Sequence, residues 1–252
     1  MSILAYKEYI FYSVRAKLIN QTSQNHLGLF WWILEPILQM IVYYYVFSVL
    51  LNRRTEEFTS FLLIGITTWS WFAQSVSNGA NSIIAARKLM TQVQFSKTIL
   101  PHISILVSTV RFILVFIILV SVLCCKNGCH NSLISLPTLI LSQLFMIYAI
   151  TTLIAAIVPF IPDLKYFVVA GLSAMMFCSG VFFEITPDNE NYQLMMMNPM
   201  AKFLEQYRVV LLDGLWPDWY FLVKSVCISI PIYILASKFI NKMDHFYPRL
   251  AK

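Results

Sequence analysis

From Leu27 to Leu51 the chain is an apolar run with one charged residue, Glu35. A helix rises ~1.5 Å per residue, so about 20 residues cross the hydrocarbon core of a bilayer. This run is long enough. Five more follow, over residues 58–79, 101–124, 133–158, 166–183 and 220–240, each bounded by a polar break. The pattern predicts six transmembrane helices. In the first, Trp31 and Trp32 stand at the start, where amphipathic rings favour the headgroup level. Pro36 removes one helix hydrogen bond and bends the span. Tyr43, Tyr44 and Tyr45 step around the helix at ~100° intervals, so at least one ring faces the interior of a bundle. Pro101 opens the third span, in a first turn where proline is tolerated.

Two segments depart from the span pattern. Residues 2–20 read as an amphipathic helix for the membrane interface. Leu4, Phe11 and Leu18 recur every seven, Ile3, Ile10 and Val14 lie close by, and Glu8 and Arg15 fall on the other side. Residues 186–219 are too polar for two more spans, because Lys202, Glu205 and Arg208 interrupt them. Yet Met195 to Met197, Met200, Phe203, Leu204 and Val209 to Leu212 are apolar. The segment reads as two short helices broken at Asn198-Pro199 that dip into the membrane, with their polar backbone covered by protein or facing a wet cavity.

Composition agrees with a membrane chain. Of 252 residues, 59% are hydrophobic and 12% charged, and the mean hydropathy is +0.71; a soluble domain carries about 25% charged residues. No apolar core followed by a small-residue cleavage site opens the chain, so no signal peptide is read. Six spans put both termini on one side. That side would hold Lys7, Arg15, Lys17, Arg87, Lys88, Lys97, Lys165, Lys238, Lys242, Arg249 and Lys252, against Arg53, Arg54, Lys126, Lys202 and Arg208 opposite. By the positive-inside rule both termini are cytoplasmic. The bias also accounts for most of the net charge of +6, so no nucleic acid is needed to explain it.

The string NPMAKFLEQYRVVLLDGLWP, with Asn198, Pro199, Tyr207, Arg208, Gly214 and Pro217, resembles the re-entrant gate helices that precede the last span in type-2 ABC exporter permeases. Leu27-Gly28-x-x-Trp31 with Pro36 and Tyr43 to Phe47 resembles the first span of the same family, and Thr186-Pro187 its Thr-Pro after span five. The branch most similar exports bacterial surface polysaccharides: O-antigen, capsule or teichoic acid. Two positions depart from the family pattern. Asp163 follows Pro162 where the family has Arg-Asp, and Phe95 precedes Ser96 where it has Phe-Pro.

The resemblance implies an all-α polytopic membrane protein. It would be a single transmembrane domain over residues 1–252, with six transmembrane helices, an N-terminal amphipathic interface helix and re-entrant gate helices between spans five and six. It implies a permease subunit in the bacterial inner membrane, paired with a second copy of itself and with two copies of an ABC ATPase subunit. The cargo would be a lipid-linked polysaccharide. ATP and Mg would sit on that ATPase; this chain would hold no cofactor. The residues agree, since GxxxxGK[ST], HExxH, GxSxG and spaced Cys/His clusters are all absent from the sequence. No catalytic or metal-ligating residue is assigned. Teichoic acid or a small molecule are alternative cargoes. An ion-coupled carrier would need mid-membrane carboxylates in two repeats, and a membrane glycosyl- or acyltransferase a cluster of Asp, Glu or His at one face.

Within this reading Asn198, Pro199, Tyr207 and Arg208 are gate candidates. Arg208 bonds either the exiting substrate, as sugar hydroxyls or a pyrophosphate lipid head, or its neighbours Glu205 or Asp213. Trp31, Trp32, Tyr43, Tyr44, Trp69, Trp71, Phe72 and Arg208 are candidates for a channel lining, because flat rings pack on a sugar's C–H faces without fixed register. The bland alternative for the rings is core or lipid contact. Tyr6, Lys7, Arg15, Arg87 and Lys88, on residues 2–20 and 82–97, are candidates for docking the ATPase; the alternative is headgroup anchoring. Glu35 and Arg111 are intramembrane charges, costly unless paired, and both sit on the cytoplasmic half; Lys224 lies near the outer surface, in reach of water. Of the five cysteines, Cys178 and Cys227 read as core fillers, and Cys125 and Cys129 could form an external disulfide.

Overall fold

A computed structural model describes residues 7–23, 27–28, 30–46, 58–93, 95–185 and 192–247. Among them the ordered elements are helices and no strand occurs. In chain order these are α1 (Lys7–Ser23), α2 (Phe30–Tyr44), α3 (Phe58–Ala80), α4 (Ser82–Ala85), α5 (Arg87–Gln92), α6 (Ile99–Asn127), α7 (Leu136–Ile157), α8 (Leu164–Cys178), α9 (Tyr192–Met196), α10 (Pro199–Leu211) and α11 (Trp219–Lys242). Tyr6, the Phe47 to Leu51 end of the first apolar run, Arg53, Arg54, Thr186, Pro187, Arg249 and Lys252 lie outside the described residues.

Among the described residues, three stretches are long and apolar enough to cross a membrane: Ile99–Lys126, Asn131–Ile157 and Trp219–Lys242. They carry α6, α7 and α11. The helix α3 is 23 residues long but rich in Thr, Ser, Gln and Asn. Its position explains this. It packs against α2, α6, α7, α8 and α10, and fifteen of its residues are buried. A helix surrounded by protein needs no apolar perimeter: Gln74 accepts from Arg111 and Ser60 from Lys126, while the buried Thr68 and Ser75 hydroxyls have no side-chain partner. The crossing with α7 is close. A Cβ at Gly79 would stand 2.0 Å from a methyl carbon of Thr151, so glycine is what lets the two backbones approach.

Two apolar clusters fill the bundle. The larger joins α3, α6, α7 and α10 and includes an aromatic ladder. Trp71 stacks on Phe112 with centroids 4.1 Å apart, Phe112 on Phe116 at 4.9 Å, and Phe116 meets the edge of Tyr207 at 5.6 Å. The smaller lies at the end of the bundle where α1 packs and α11 ends. It gathers Ile83, Met90, Phe95, Ile99, Ile103, Ala155, Ala156, Ile240 and Tyr247, and Ile10, Val14 and Leu18 of α1 cover it. There the Lys97 ammonium donates to Asp244 at 2.9 Å, Ser96 to Asn241 at 3.2 Å and the Tyr247 hydroxyl to the Ala156 carbonyl at 3.1 Å. Burial and the nearby Asp244 push the Tyr247 phenol up to about 12, so it remains a donor.

Several boundaries differ from those read in the sequence. The helix predicted over 166–183 spans Leu164–Cys178, because the chain turns through Gly180 at φ +70°. The third begins at Ile99, with Pro101 inside the first turn, and ends where Gly128 at φ +84° donates to the Cys124 carbonyl. The helix predicted over 2–20 runs on to Ser23, and its protein-facing stripe is Ile10, Val14 and Leu18. Phe11, expected on that stripe, is 65% exposed, because one residue of offset rotates a side chain ~100° around a helix. Lys97, expected in the exposed docking loop, is buried in its ion pair.

Candidate functional site

The helix α10 begins with a local capping arrangement. Asn198 is its N-cap: the side-chain oxygen accepts from the Met200 N–H at 3.0 Å, and Pro199 occupies the first turn, where its missing N–H costs nothing. The residues Met200, Phe203, Leu204, Tyr207, Val210 and Leu211 recur at helical spacing and are buried. They anchor α10 on α3 and α7.

Asn198 has a second bond. Its amide nitrogen donates to the Ser179 hydroxyl at 2.6 Å. Arg208, ten residues on, donates to the Gly180 carbonyl at 2.8 Å and the Val181 carbonyl at 3.1 Å, and its guanidinium carbon lies 3.3 Å from the centre of the Phe61 ring. The two residues therefore clasp the turn that ends α8. Gly65 of α3 makes the room, since a Cβ there would stand 2.8 Å from an Arg208 nitrogen. Burial lowers the Arg208 pKa while Glu184 and Glu205 raise it; an arginine keeps its charge at neutral pH. The side chain thus supports the backbone and stacks on an aromatic face, rather than pairing with Glu205 or Asp213 as one sequence reading had it. Tyr207 is fully buried, against Phe116. The opposite face of α10 differs. Lys202 and Glu205 border a cavity of 470 Å³ that also reaches Asp218, and Glu205 borders a second of 400 Å³ that Arg208 also lines, with Glu184 and Asp213. Burial raises the Glu205 carboxyl above its ordinary value, and Lys202 opposes the shift.

A third cavity, of 320 Å³, lies between α2, α3 and α8. Its α3 wall is a polar stripe, Ser70, Gln74, Ser77 and Asn78, that follows one helix face with Trp69 and Ala73 beside it. Gln39 and Tyr43 of α2 and Ser173 of α8 complete the polar lining, and Leu172 and Met176 supply apolar surface. Amides, hydroxyls and flat rings at one depth of a membrane bundle suit a ligand with many hydroxyls and apolar C–H faces. The outer face of α8 has no cover, since none of its residues is buried.

The aromatic candidates separate by what they border, since Trp69 at 3% exposed is as buried as Trp71 and Phe72. Trp69 and Tyr43 border this cavity. Trp71 and Phe72 are each 2% exposed; Trp71 donates its indole N–H to the Thr109 hydroxyl at 3.2 Å and stacks on Phe112. Both belong to the packed core, away from any cavity a polymer could pass. Trp32 is also buried, with the Arg111 guanidinium 5.8 Å from its ring centre. Trp31 and Tyr44 are exposed on α2, 40% and 39%. Behind the cavity Glu35 and Arg111 form an ion pair across α2 and α6, and Arg111 also donates to the Gln74 side-chain oxygen at 3.1 Å. Gln39, Gln74, Asn78 and the serines are the lining residues that a search for charges and aromatics passes over. Their signal in the sequence is the polar spacing of three and four along an otherwise apolar helix.

At the terminal end of the bundle Lys7 and Arg15 on α1 and Arg87 and Lys88 on α5 are exposed. The described cysteines are free, so Cys125 and Cys129 form no disulfide; Cys129 hydrogen-bonds the Cys124 thiol, and Cys178 and Cys227, expected in the core, are exposed.

No protein-family model matches the chain. Known proteins do. An O-antigen export system permease protein RfbA of Myxococcus xanthus is 27% identical over 238 residues, covering 92% of each chain. Two proteins of the same name from Klebsiella pneumoniae are each 23% identical, covering 74% and 76% of this chain and 73% and 75% of their own. Over 74–92% of its length the chain is thus similar to proteins named O-antigen export system permeases, and its helices include ones long and apolar enough to cross a membrane.

Proposed function

We propose that the chain is the permease subunit of an ATP-driven exporter that moves a lipid-linked polysaccharide of O-antigen type across the bacterial inner membrane. The observation that carries this reading, beside the relatives' names, is the cavity between α2, α3 and α8. Its walls are amides, hydroxyls, Trp69 and Tyr43 beside the apolar Leu172 and Met176, with no charged side chain among them. A sugar polymer must slide past a wall that holds it weakly at every register, and a neutral wall of short polar groups and rings does that.

In this reading six helices cross the membrane: α2, α3, α6, α7, α8 and α11. The pair α9 and α10 re-enters from outside, both termini are cytoplasmic, and residues 1–252 form a single transmembrane domain. The uncovered face of α8 meets a second copy of the chain, so that two such cavities front one path. Energy comes from two copies of a separate ATPase that carry ATP and Mg. They dock against the exposed basic residues of α1 and α5, Lys7, Arg15, Arg87 and Lys88. The clasped turn and α10 form the external end, where Asn198 and Arg208 hold the gate in shape and Lys202 and Glu205 face the wet side.

The test is reconstitution. The permease and its ATPase, co-purified and placed in liposomes, should hydrolyse ATP faster when lipid-linked O-antigen is present. Co-purification without any response to the glycan would overturn the cargo; failure to co-purify would overturn the exporter.

A further inference from the structure

We propose that the Glu35–Arg111 ion pair is a positioning device: it holds Gln74 so that the amide NH₂ of that residue is turned into the cavity between α2, α3 and α8, as a hydrogen-bond donor for sugar oxygens. The inference rests on the reading of that cavity as the polysaccharide path and names one contact in it.

The argument is one of donor and acceptor supply. Gln74 borders two spaces at once. One is the 320 Å³ cavity; the other is a narrow cleft of 30 Å³ that contains Glu35, Arg111 and Trp32. A guanidinium has donors and no acceptor. The Gln74 atom 3.1 Å from it must therefore be the oxygen, whichever way the amide would otherwise turn. With the oxygen committed to Arg111, the NH₂ is what the side chain offers elsewhere. Without Arg111 the amide could rotate and present either group. Arg111 itself has little freedom. Glu35 takes its other terminal nitrogen, and the Trp32 ring lies beside its plane at 5.8 Å. An ion pair at this depth stays formed, because an unpaired charge there is costly. The three side chains come from three helices, α2, α3 and α6. Together they turn an expensive intramembrane charge into a fixed orientation for one neutral amide, so the charge never faces the polymer. A sugar presents hydroxyls that both donate and accept and ring oxygens that accept only; a fixed donor distinguishes these, and a freely rotating amide does not.

The experiment uses the reconstituted permease–ATPase complex, with ATP hydrolysis stimulated by lipid-linked O-antigen extracted from a producing strain. The half-saturating glycan concentration and the maximum rate are read separately. Gln74→Met should raise the half-saturating concentration roughly tenfold, the effect of one lost hydrogen bond, and leave the maximum rate unchanged. Arg111→Met should raise it similarly, and the double variant no further than either single one. Full additivity in the double variant would show that Arg111 does not act through Gln74 and would overturn the proposal. Should Arg111→Met fail to accumulate, Gln74→Glu carries the test. It keeps an oxygen on Arg111 and the shape of the side chain but replaces the donor with an acceptor. It should reproduce the rise, and a wild-type value would overturn the proposal. Gln39→Met and Asn78→Met, outside the Arg111 hydrogen bonds, separate the two levels of inference. If they raise the half-saturating concentration and Gln74→Met does not, this contact fails and the cavity stands. If none of the three does, the cavity reading fails.

Discussion

Asn198 and Arg208, at opposite ends of α10, hold the same turn of the chain: Asn198 donates to Ser179 at 2.6 Å, and Arg208 to the carbonyls of Gly180 and Val181 at 2.8 and 3.1 Å. In the proposed re-entrant placement of α10 this corner must be rigid, because free polar backbone inside a membrane has no water to bond. The clasp supplies the donors that the end of α8 lacks.

Arg208→Ala should therefore destabilise the protein rather than act on substrate alone. It leaves two carbonyls without donors, each lost charged hydrogen bond being worth about 1.5–3 kcal/mol. Thermal unfolding of the detergent-solubilised protein, followed by size exclusion, should show a fall of several degrees. An unchanged melting temperature, with export lost, would mean that Arg208 works on the cargo directly.

The contact between Gly79 and Thr151 gives a compensating pair. Gly79→Ala puts a carbon 2.0 Å from the Thr151 methyl and should cost about 1–3 kcal/mol through overpacking. Thr151→Ala removes that methyl, and the double variant should recover most of the loss. If Gly79→Ala alone is neutral, the α3–α7 crossing is looser than described.

Trp71 tests the core assignment. As a packed residue stacked on Phe112, its replacement by alanine should cost about 3–5 kcal/mol, whereas Trp71→Phe should fold and export normally. Loss of export in a fully stable Trp71→Phe would return the residue to the channel lining.

Reversal of charge at Arg87 and Lys88, both exposed on α5, should weaken co-purification of the ATPase without lowering the amount of permease in the membrane. Full ATPase recovery would remove α5 from the docking surface.

The sequence made the helices readable because apolar runs of membrane length have few other uses. It was less informative where a side chain's partner is backbone. Glu205 and Asp213 are visible in the string as partners for Arg208, but the carbonyls of Gly180 and Val181 are not. Aromatic residues likewise read alike whether they only fill a core, as Phe72 does, or fill it and border the cavity between α2, α3 and α8, as Trp69 does. The early end of α8 depends on a left-handed glycine, and Gly171 in the same run is helical; composition does not distinguish the two. On α1 the sevenfold recurrence of Leu4, Phe11 and Leu18 pointed one residue away from the stripe of Ile10, Val14 and Leu18 that the fold uses. Glu35 and Arg111 were legible as intramembrane charges, whereas their hold on Gln74 depends on how three helices pack.

The central claim is that this chain carries a lipid-linked polysaccharide outward. The most direct measurement is to delete its gene and follow the glycan in two places, at the cell surface and on the lipid carrier inside. The account predicts that surface polysaccharide disappears while full-length polymer accumulates on its lipid in the inner membrane, and that the intact gene restores export. Surface polysaccharide at the level of the parent strain, with no internal pool, would contradict it.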